Sequence, residues 1–89
     1  MRMKMSSHEV KRALEAILMV VDEPVSEVVL AQITETPTEE IKSALSELAN
    51  EYTEQGRGFD LRQIGGGWRF YSHPDMAAMV EKFVLDGQQ

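Results

Sequence analysis

The chain has no cysteine, only two histidines and a deficit of positive charge, and each shortage excludes a class of function. Without cysteine, the chain forms neither a disulfide nor a thiolate metal site. His8 and His73 lie far apart in the sequence with no ligand cluster beside them, so we expect no metal and no cofactor. The net charge of −6 repels nucleic acid phosphates.

Long apolar runs are also missing. The longest run covers residues 16–21, far below the roughly 20 residues that a membrane-spanning helix needs. The first seven residues carry charge but have no apolar stretch behind them, unlike a secretory signal. We therefore expect a cytoplasmic protein without a membrane segment.

The residues that are present are enough for one small α+β domain. A length of 89 residues fits a single domain, and hydrophobic residues recur throughout it. Two short helices leading into a longer one are typical of a helix-turn-helix, and a hairpin directly afterwards is typical of a wing. We predict a winged helix with a two-stranded wing and a C-terminal helix. It spans residues 7–86, with a flexible leader at 1–6 and a frayed end at 87–89.

Local signals predict where the first two helices begin. Ser6 followed by Glu9 has the pattern of a capping box, and helical spacing continues to about residue 22. Ser26 is a good N-cap for a short helix over 27–34. The apolar residues of this short helix divide between two faces. One face holds Val29, Leu30 and Ile33, and the opposite face holds Val28 and Ala31.

The third helix has the clearest start signal in the chain. Thr36, Pro37 and Glu39 predict a cap, a proline at the first helical position and a completed capping box. We expect the helix to continue to about residue 55, and Gly56 is positioned as its C-terminal stop.

The apolar period then changes from helical to alternating. Residues 59–64 and 68–71 predict two strands, and three glycines at 65–67 predict the turn between them. Pro74 opens a last helix, in which Leu85 points away from the apolar face. The residues predicted to face inward are Met76, Met79, Val80, Phe83 and Val84.

DNA binding is the first function that a winged helix suggests, because the third helix is normally the recognition helix. Here that helix carries a strong acidic excess, which disfavours contact with phosphate. Its charged residues are Glu39, Glu40, Lys42, Glu47, Glu51 and Glu54.

The wing is the one basic feature of the sequence. Arg57, Arg62 and Arg69 lie within or beside the hairpin, where they could contact a phosphate or an acidic partner surface. The simpler interpretation is that they are solvated residues paired with Asp60 and nearby glutamates. We favour the simpler interpretation.

No set of residues forms a catalytic constellation. Glu39 and Glu40 lie at a helix N-terminus, where acidic residues complement the helix dipole. The three glycines at 65–67 join strand to strand and lack the lysine and hydroxyl of a phosphate-binding loop. We therefore expect neither an enzyme nor a small-molecule ligand.

Apolar residues outside the predicted core suggest a protein interface instead. Strand alternation sends Trp68 and Phe70 to one face of the wing and Tyr71 to the other. Tyrosine is enriched at protein interfaces, and contiguous exposed apolar residues mark such sites. The candidate interface residues are Met19, Val28, Tyr71 and Leu85.

Four segments in order resemble the bacterial segregation and condensation protein B family. No single segment is specific, but their order and spacing together are, from residue 10 to residue 85. The segments are 14–18 (LEAIL) followed by 22–26 (DEPVS), 45–48 (LSEL) leading to 51–52 (EY), 57–61 (RGFDL), and 66–70 (GGWRF), where the family has a Gly-Gly-aromatic-Arg signature.

The resemblance implies a non-enzymatic subunit of the bacterial condensin complex. Members of the family act with a kleisin subunit and the coiled-coil SMC ATPase in chromosome condensation and segregation, and they carry two winged-helix domains. This chain resembles the first domain, which is associated with self-dimerisation, whereas the second makes much of the kleisin contact. We therefore predict a homodimeric protein-interaction domain that can contact a kleisin. The alternative is a winged-helix DNA-binding transcriptional regulator.

Overall fold

The computed structural model describes residues 4–87, and their element order is that of a winged helix. Three helices precede a β-hairpin, and a fourth helix follows it, as the sequence predicts. The elements are α1 (Ser7–Val20), β1 (Val25–Ser26), α2 (Glu27–Thr34), α3 (Thr38–Glu54), β2 (Phe59–Ile64), β3 (Gly67–Ser72), a 3₁₀ turn (Pro74–Met76) and α4 (Ala77–Asp86).

The wing belongs to a three-stranded antiparallel sheet in the order β1-β3-β2, so the predicted two-stranded wing is incomplete. The added strand, β1, pairs Val25 with Trp68 and Ser26 with Gly67. A two-residue strand between two helices is too short to give an alternating pattern, which is why the sequence does not reveal it. Pairing with β1 makes β3 the central strand.

The hairpin turn is shorter than the three glycines suggest. Gly65 and Gly66 alone form it, with φ angles of 60° and 82° that favour glycine, and Gly67 already pairs within β3. A Cβ atom on Gly67 would lie 2.6 Å from the Cβ of Pro24. Gly67 is therefore needed for the close approach of the chain before β1, not for the turn.

Two of the predicted helix starts are confirmed. Ser6 Oγ accepts from the Glu9 amide at 3.1 Å, while the Ser6 amide donates to Glu9 Oε1 at 3.0 Å, which completes the capping box. Ser26 Oγ accepts from the Val29 amide at 3.2 Å. The first helix ends at Val20, about two residues earlier than predicted.

The predicted capping box of α3 is wrong. The Thr36 hydroxyl donates to the Thr34 carbonyl at 3.1 Å, and α3 begins at Thr38 without a side-chain cap. The reason is the end of α2, where Glu35 adopts a left-handed conformation with φ 53° and the Thr36 amide donates to Ala31. Thr36 thus completes α2. The stop at Gly56 is confirmed, with φ 65°.

The core lies between α1, α2, α3 and one face of the sheet. Helices α1 and α3 together bury eight apolar residues at helical spacing, whereas α2 buries Leu30 and Ala31, one from each of its predicted faces. Rings of Tyr52, Phe59 and Phe70 meet with centroids 4.9–5.9 Å apart. The buried apolar residues are Val10, Leu14, Leu18, Leu30, Ala31, Ile41, Ala44, Leu45, Leu48, Tyr52, Leu61 and Trp68.

The last helix contradicts the prediction that its apolar face points inward. No residue of α4 is buried, and α4 contacts chiefly the 3₁₀ turn that precedes it. The described part of the chain is consequently elongated, with extents of 51 × 27 × 24 Å. An amphipathic pattern indicates that one face is apolar but not what covers it, and here the core closes without α4.

The predicted leader and frayed end fall partly outside the described residues, which exclude 1–3 and 88–89. Of the leader, Lys4 Nζ lies 3.2 Å from Glu40 Oε1, Met5 packs against the core, and Ser6 caps α1. At the other end, the Gly87 amide donates to the Phe83 carbonyl at 2.8 Å. The domain boundaries stay a prediction.

Candidate protein-interaction surfaces

The most prominent surface of the molecule is the apolar face of α4. We call this the α4 face, and it includes the 3₁₀-turn residue Met76. Its side chains are between 40% and 64% exposed. Their spacing of three and four residues places them on one side of the helix. The members of the α4 face are Met76, Met79, Val80, Phe83 and Val84.

Leu85 is also exposed but belongs to another side of the helix. It follows Val84 by one residue, a rotation of about 100°, and Val80 by five residues. The helical spacing in the sequence therefore separates Leu85 correctly from the other apolar residues of α4, whereas the prediction that those residues lie in the core is wrong. The pattern of the apolar face was visible in the sequence, whereas its exposure was not.

A second apolar surface is a groove of about 650 Å³ between the end of α1 and the sheet. We call it the α1–sheet groove. Met19 lies on it and is 76% exposed. Its lining combines aliphatic residues of α1 with aromatic rings of the core and wing. The lining residues are Glu15, Ala16, Leu18, Met19, Val21, Tyr52, Phe59, Arg69 and Phe70.

Two charged residues border this groove, and they differ in whether their polar atoms are hydrogen-bonded. Glu15 is engaged, because its carboxylate accepts a hydrogen bond from the Tyr52 hydroxyl. Burial, followed by this contact with Glu15, raises the pKa of the Tyr52 phenol. Arg69 is not fully engaged, because its buried Nε has no hydrogen-bond partner among the described residues. An unsatisfied buried donor is costly, so Arg69 is held less favourably than Glu15.

Among residues 4–87 the wing arginines do not form the predicted ion pairs with Asp60 and nearby glutamates. Within residues 4–87 none of them lies within 4.0 Å of a carboxylate, and Arg57 Nε donates to Gln55 Oε1 at 3.0 Å. The strand register is the reason, because Arg62 lies opposite Arg69 while Asp60 lies opposite Tyr71. Both of these arginines face the Tyr71 ring, at 5.3 and 5.5 Å from its centroid.

The four candidate interface residues lie on four different elements. Met19 belongs to α1, Val28 to α2, Tyr71 to β3 and Leu85 to α4, and all except the half-buried Tyr71 are well exposed. Of these four, Met19 lines the α1–sheet groove together with Arg69. Their role in an interface stays a prediction.

The surface of α3 is acidic and partly neutralised from within the domain. Lys11 of α1 bridges Glu47 and Glu51, with N–O distances of 2.9 and 2.7 Å. The hydrogen bonds to Glu51 and Glu47 raise the pKa of Lys11. The one lysine that α1 directs at α3 is thus already paired with it, which disfavours α3 as a reader of DNA.

Trp68 is anchored rather than available to a partner. Its ring is buried, and Nε1 donates to Glu27 Oε2 at 3.0 Å, linking the wing to α2.

Within residues 4–87 no three histidine, aspartate or glutamate side chains converge as a metal site. No helix of that region is long and apolar enough to cross a membrane.

Comparison with known proteins identifies relatives along most of the chain. The family model described as "Segregation and condensation complex subunit ScpB" matches residues 12–89. Segregation and condensation protein B of Desulforamulus reducens is 34% identical over 74 residues, which cover 83% of this chain and 41% of that protein. The chain therefore spans about two fifths of the length of this relative.

Solved structures resemble the fold closely. ScpB from Mycobacterium tuberculosis superposes with a TM-score of 0.93 and 40% identity, covering 98% of this chain and 54% of that one. A dimer of the ScpB N-terminal domain complexed with ScpA peptide superposes with a TM-score of 0.80 and 26% identity, covering 85% of this chain and 95% of that one. The chain is thus similar in structure to nearly the whole of an isolated ScpB N-terminal domain.

Proposed function

The chain belongs to the segregation and condensation complex subunit ScpB family, and from that premise we propose that it is a protein-interaction domain of a chromosome condensation complex. In this proposal it binds a second copy of itself and a kleisin subunit, and it catalyses no reaction. It acts in the cytoplasm, associated with the nucleoid through the complex.

The exposed α4 face is the observation that carries this proposal. A helix with five large apolar side chains in water is unfavourable unless a partner covers it, since each buried side chain contributes roughly 1.5–3 kcal/mol. A similar domain is a dimer complexed with ScpA peptide, which supports both kinds of partner for this chain. The chain spans about half or less of the length of its longer relatives. Binding of a kleisin by this chain is therefore part of the proposal.

The acidic surface supports a protein partner over a nucleic acid. The net charge is −6, and the most acidic helix is the one that would read DNA. The wing arginines Arg57, Arg62 and Arg69 are the candidates for contact with an acidic segment of a partner protein.

Mass measurement tests the proposal directly. Light scattering of this chain over a range of concentrations should give twice the monomer mass of 10.1 kDa. Adding the kleisin subunit encoded in the same genome should produce a larger complex of defined stoichiometry. A monomer at all concentrations that also fails to bind the kleisin would contradict the proposal, as would tight DNA binding with a steep salt dependence.

A further inference from the structure

The area of the α4 face sets a limit on how it can hold two copies together. Exposures between 40% and 64%, applied to side chains of roughly 170 Å², give an apolar area of about 450 Å². A stable interface buries about 800 Å² on each partner. Two α4 faces packed only against each other would therefore provide about half of the required area. A second surface of similar size must contribute.

The α1–sheet groove, with the exposed end of α1 beside it, supplies additional apolar surface. It is concave and apolar, and its volume of about 650 Å³ is within the range of sites that bury a ligand. Met19 and its neighbour Val20 are 76% and 81% exposed at the end of α1. A groove of this shape accepts an amphipathic helix through anchors spaced three and four residues apart, which is the spacing of the α4 face.

The charges of the two surfaces are complementary. Arg69 borders the groove with a buried Nε that lacks a partner among the described residues. Asp86 follows Phe83 by three residues and so borders the α4 face, and its carboxylate is in no ion pair within residues 4–87. An Asp86 carboxylate beside the Arg69 guanidinium would form a charge-assisted ion pair at the rim of the groove.

We propose that two copies of this chain exchange their last helices, so that the α4 face of each copy packs into the α1–sheet groove of the other. The contact rests on the self-association proposed above and specifies its surfaces. Each copy then contributes a helix face and a groove, which together bury more apolar area than two α4 faces packed only against each other. The arrangement is two-fold symmetric and closes, so it forms a dimer and not a filament.

Cross-linking between single-cysteine chains tests the arrangement, and the absence of natural cysteine makes the experiment specific. One chain carries Met19→Cys in the groove, and a second chain of different tag mass carries Val84→Cys on the α4 face. Oxidation of the mixture should link unlike chains, whereas Ala78→Cys, on the opposite side of α4, in place of Val84→Cys should link at least fivefold less. Each chain has one cysteine, so every product reports contact between copies.

Different products separate the possible failures. Val84→Cys chains that link mainly to each other would show α4 packed on α4 and would overturn the exchange while leaving the dimer intact. A dimer by mass in which Met19→Cys and Val84→Cys do not link would overturn it as well. A monomer by mass would instead refute self-association itself.

A substitution on the α4 face gives an independent measure. Phe83→Ser should weaken dimerisation at least tenfold, because Phe83 would be an anchor in the groove, while Ala78→Ser, on the opposite side of α4, should change it less than threefold. Phe83 is exposed in the single chain, so Phe83→Ser should keep its helical circular dichroism. Equal effects of the two substitutions would overturn the proposal.

Charge reversal tests the pairing at the rim of the groove. Arg69→Glu and Asp86→Lys should each weaken the dimer several-fold, and the two together should restore it to within about twofold. Additive weakening in the double variant would overturn the contact between these two residues.

Discussion

Replacing Gly67 by alanine should destabilise the domain far more than a surface Gly→Ala substitution does. A Cβ atom at this position would lie 2.6 Å from Pro24 Cβ, 3.0 Å from the Pro24 carbonyl carbon and 3.1 Å from the Val25 amide nitrogen. Two of these atoms belong to the backbone and cannot move aside as a flexible side chain would. The chain before β1 must therefore shift away from β3.

The magnitude follows from two opposing effects. Overpacking costs typically 1–3 kcal/mol, and loss of the two-residue pairing between β1 and β3 adds to it. The reduced entropy of the unfolded chain returns about 0.4–1 kcal/mol. We expect a net loss of about 2 kcal/mol, from a total of about 4–13 kcal/mol for 89 residues. In a domain of this size that loss lowers Tm by about 8–16 °C.

Urea and thermal unfolding at one fixed protein concentration measure the effect, since dimerisation makes Tm depend on concentration. Gly58→Ala is the matched control, because a Cβ there meets only the Met76 side chain at 4.0 Å. It should be neutral or stabilise by up to about 1 kcal/mol. Stabilities of the two variants within about 0.5 kcal/mol of each other would refute the packing argument.

Three smaller substitutions test contacts between elements. Tyr52→Phe removes the hydrogen bond to Glu15 and should cost about 1 kcal/mol in urea unfolding. The pKa of Tyr52 is raised in the folded state, so the contribution of Tyr52 to stability is complete below its unfolded pKa near 10 and decreases as the pH rises above that value. The free energy of unfolding should therefore fall between pH 9 and pH 11 in the unsubstituted chain, and this part of the fall should be missing in Tyr52→Phe. Trp68→Phe removes the bond to Glu27 and should cost about 2 kcal/mol. Lys11→Met should cost about 0.5 kcal/mol, less at high salt, and equal stability losses at all salt concentrations would argue against a role for its charge.

The sequence predicts which residues of the candidate surfaces share a helix face, but it does not predict where those faces lie in the folded domain. The apolar spacing of Met79, Val80 and Phe83 was evident, and so was the separation of Leu85 from them. The assumption that an apolar helix face points into its own domain led to the wrong assignment. Similarly, Met19 was identified as an apolar residue outside the core, whereas the groove beside it forms only where α1 meets the sheet.

Local chemistry in the sequence determined where most elements begin and end. The capping box of Ser6, the cap at Ser26 and the stop at Gly56 depend on residues within a few positions of each other, so the signals needed no tertiary information. The apolar positions of α1 and α3, which recur at helical spacing in the sequence, supply eight of the twelve buried apolar residues. The acidic charge of α3, which is read directly from the sequence, likewise disfavours DNA binding.

Only the tertiary structure decided the features that depend on residues distant in the chain. Because β1 pairs with β3, Gly67 is needed for close packing of two strands and not for the turn. The Thr36 hydroxyl bonds to the end of α2 and therefore does not cap α3 as predicted. The exposure of α4 was decided by whether the core had room for a fourth helix. The helical period of a sequence determines that a helix has an apolar face. Whether that face is buried depends on how the rest of the domain, or a partner, packs around it.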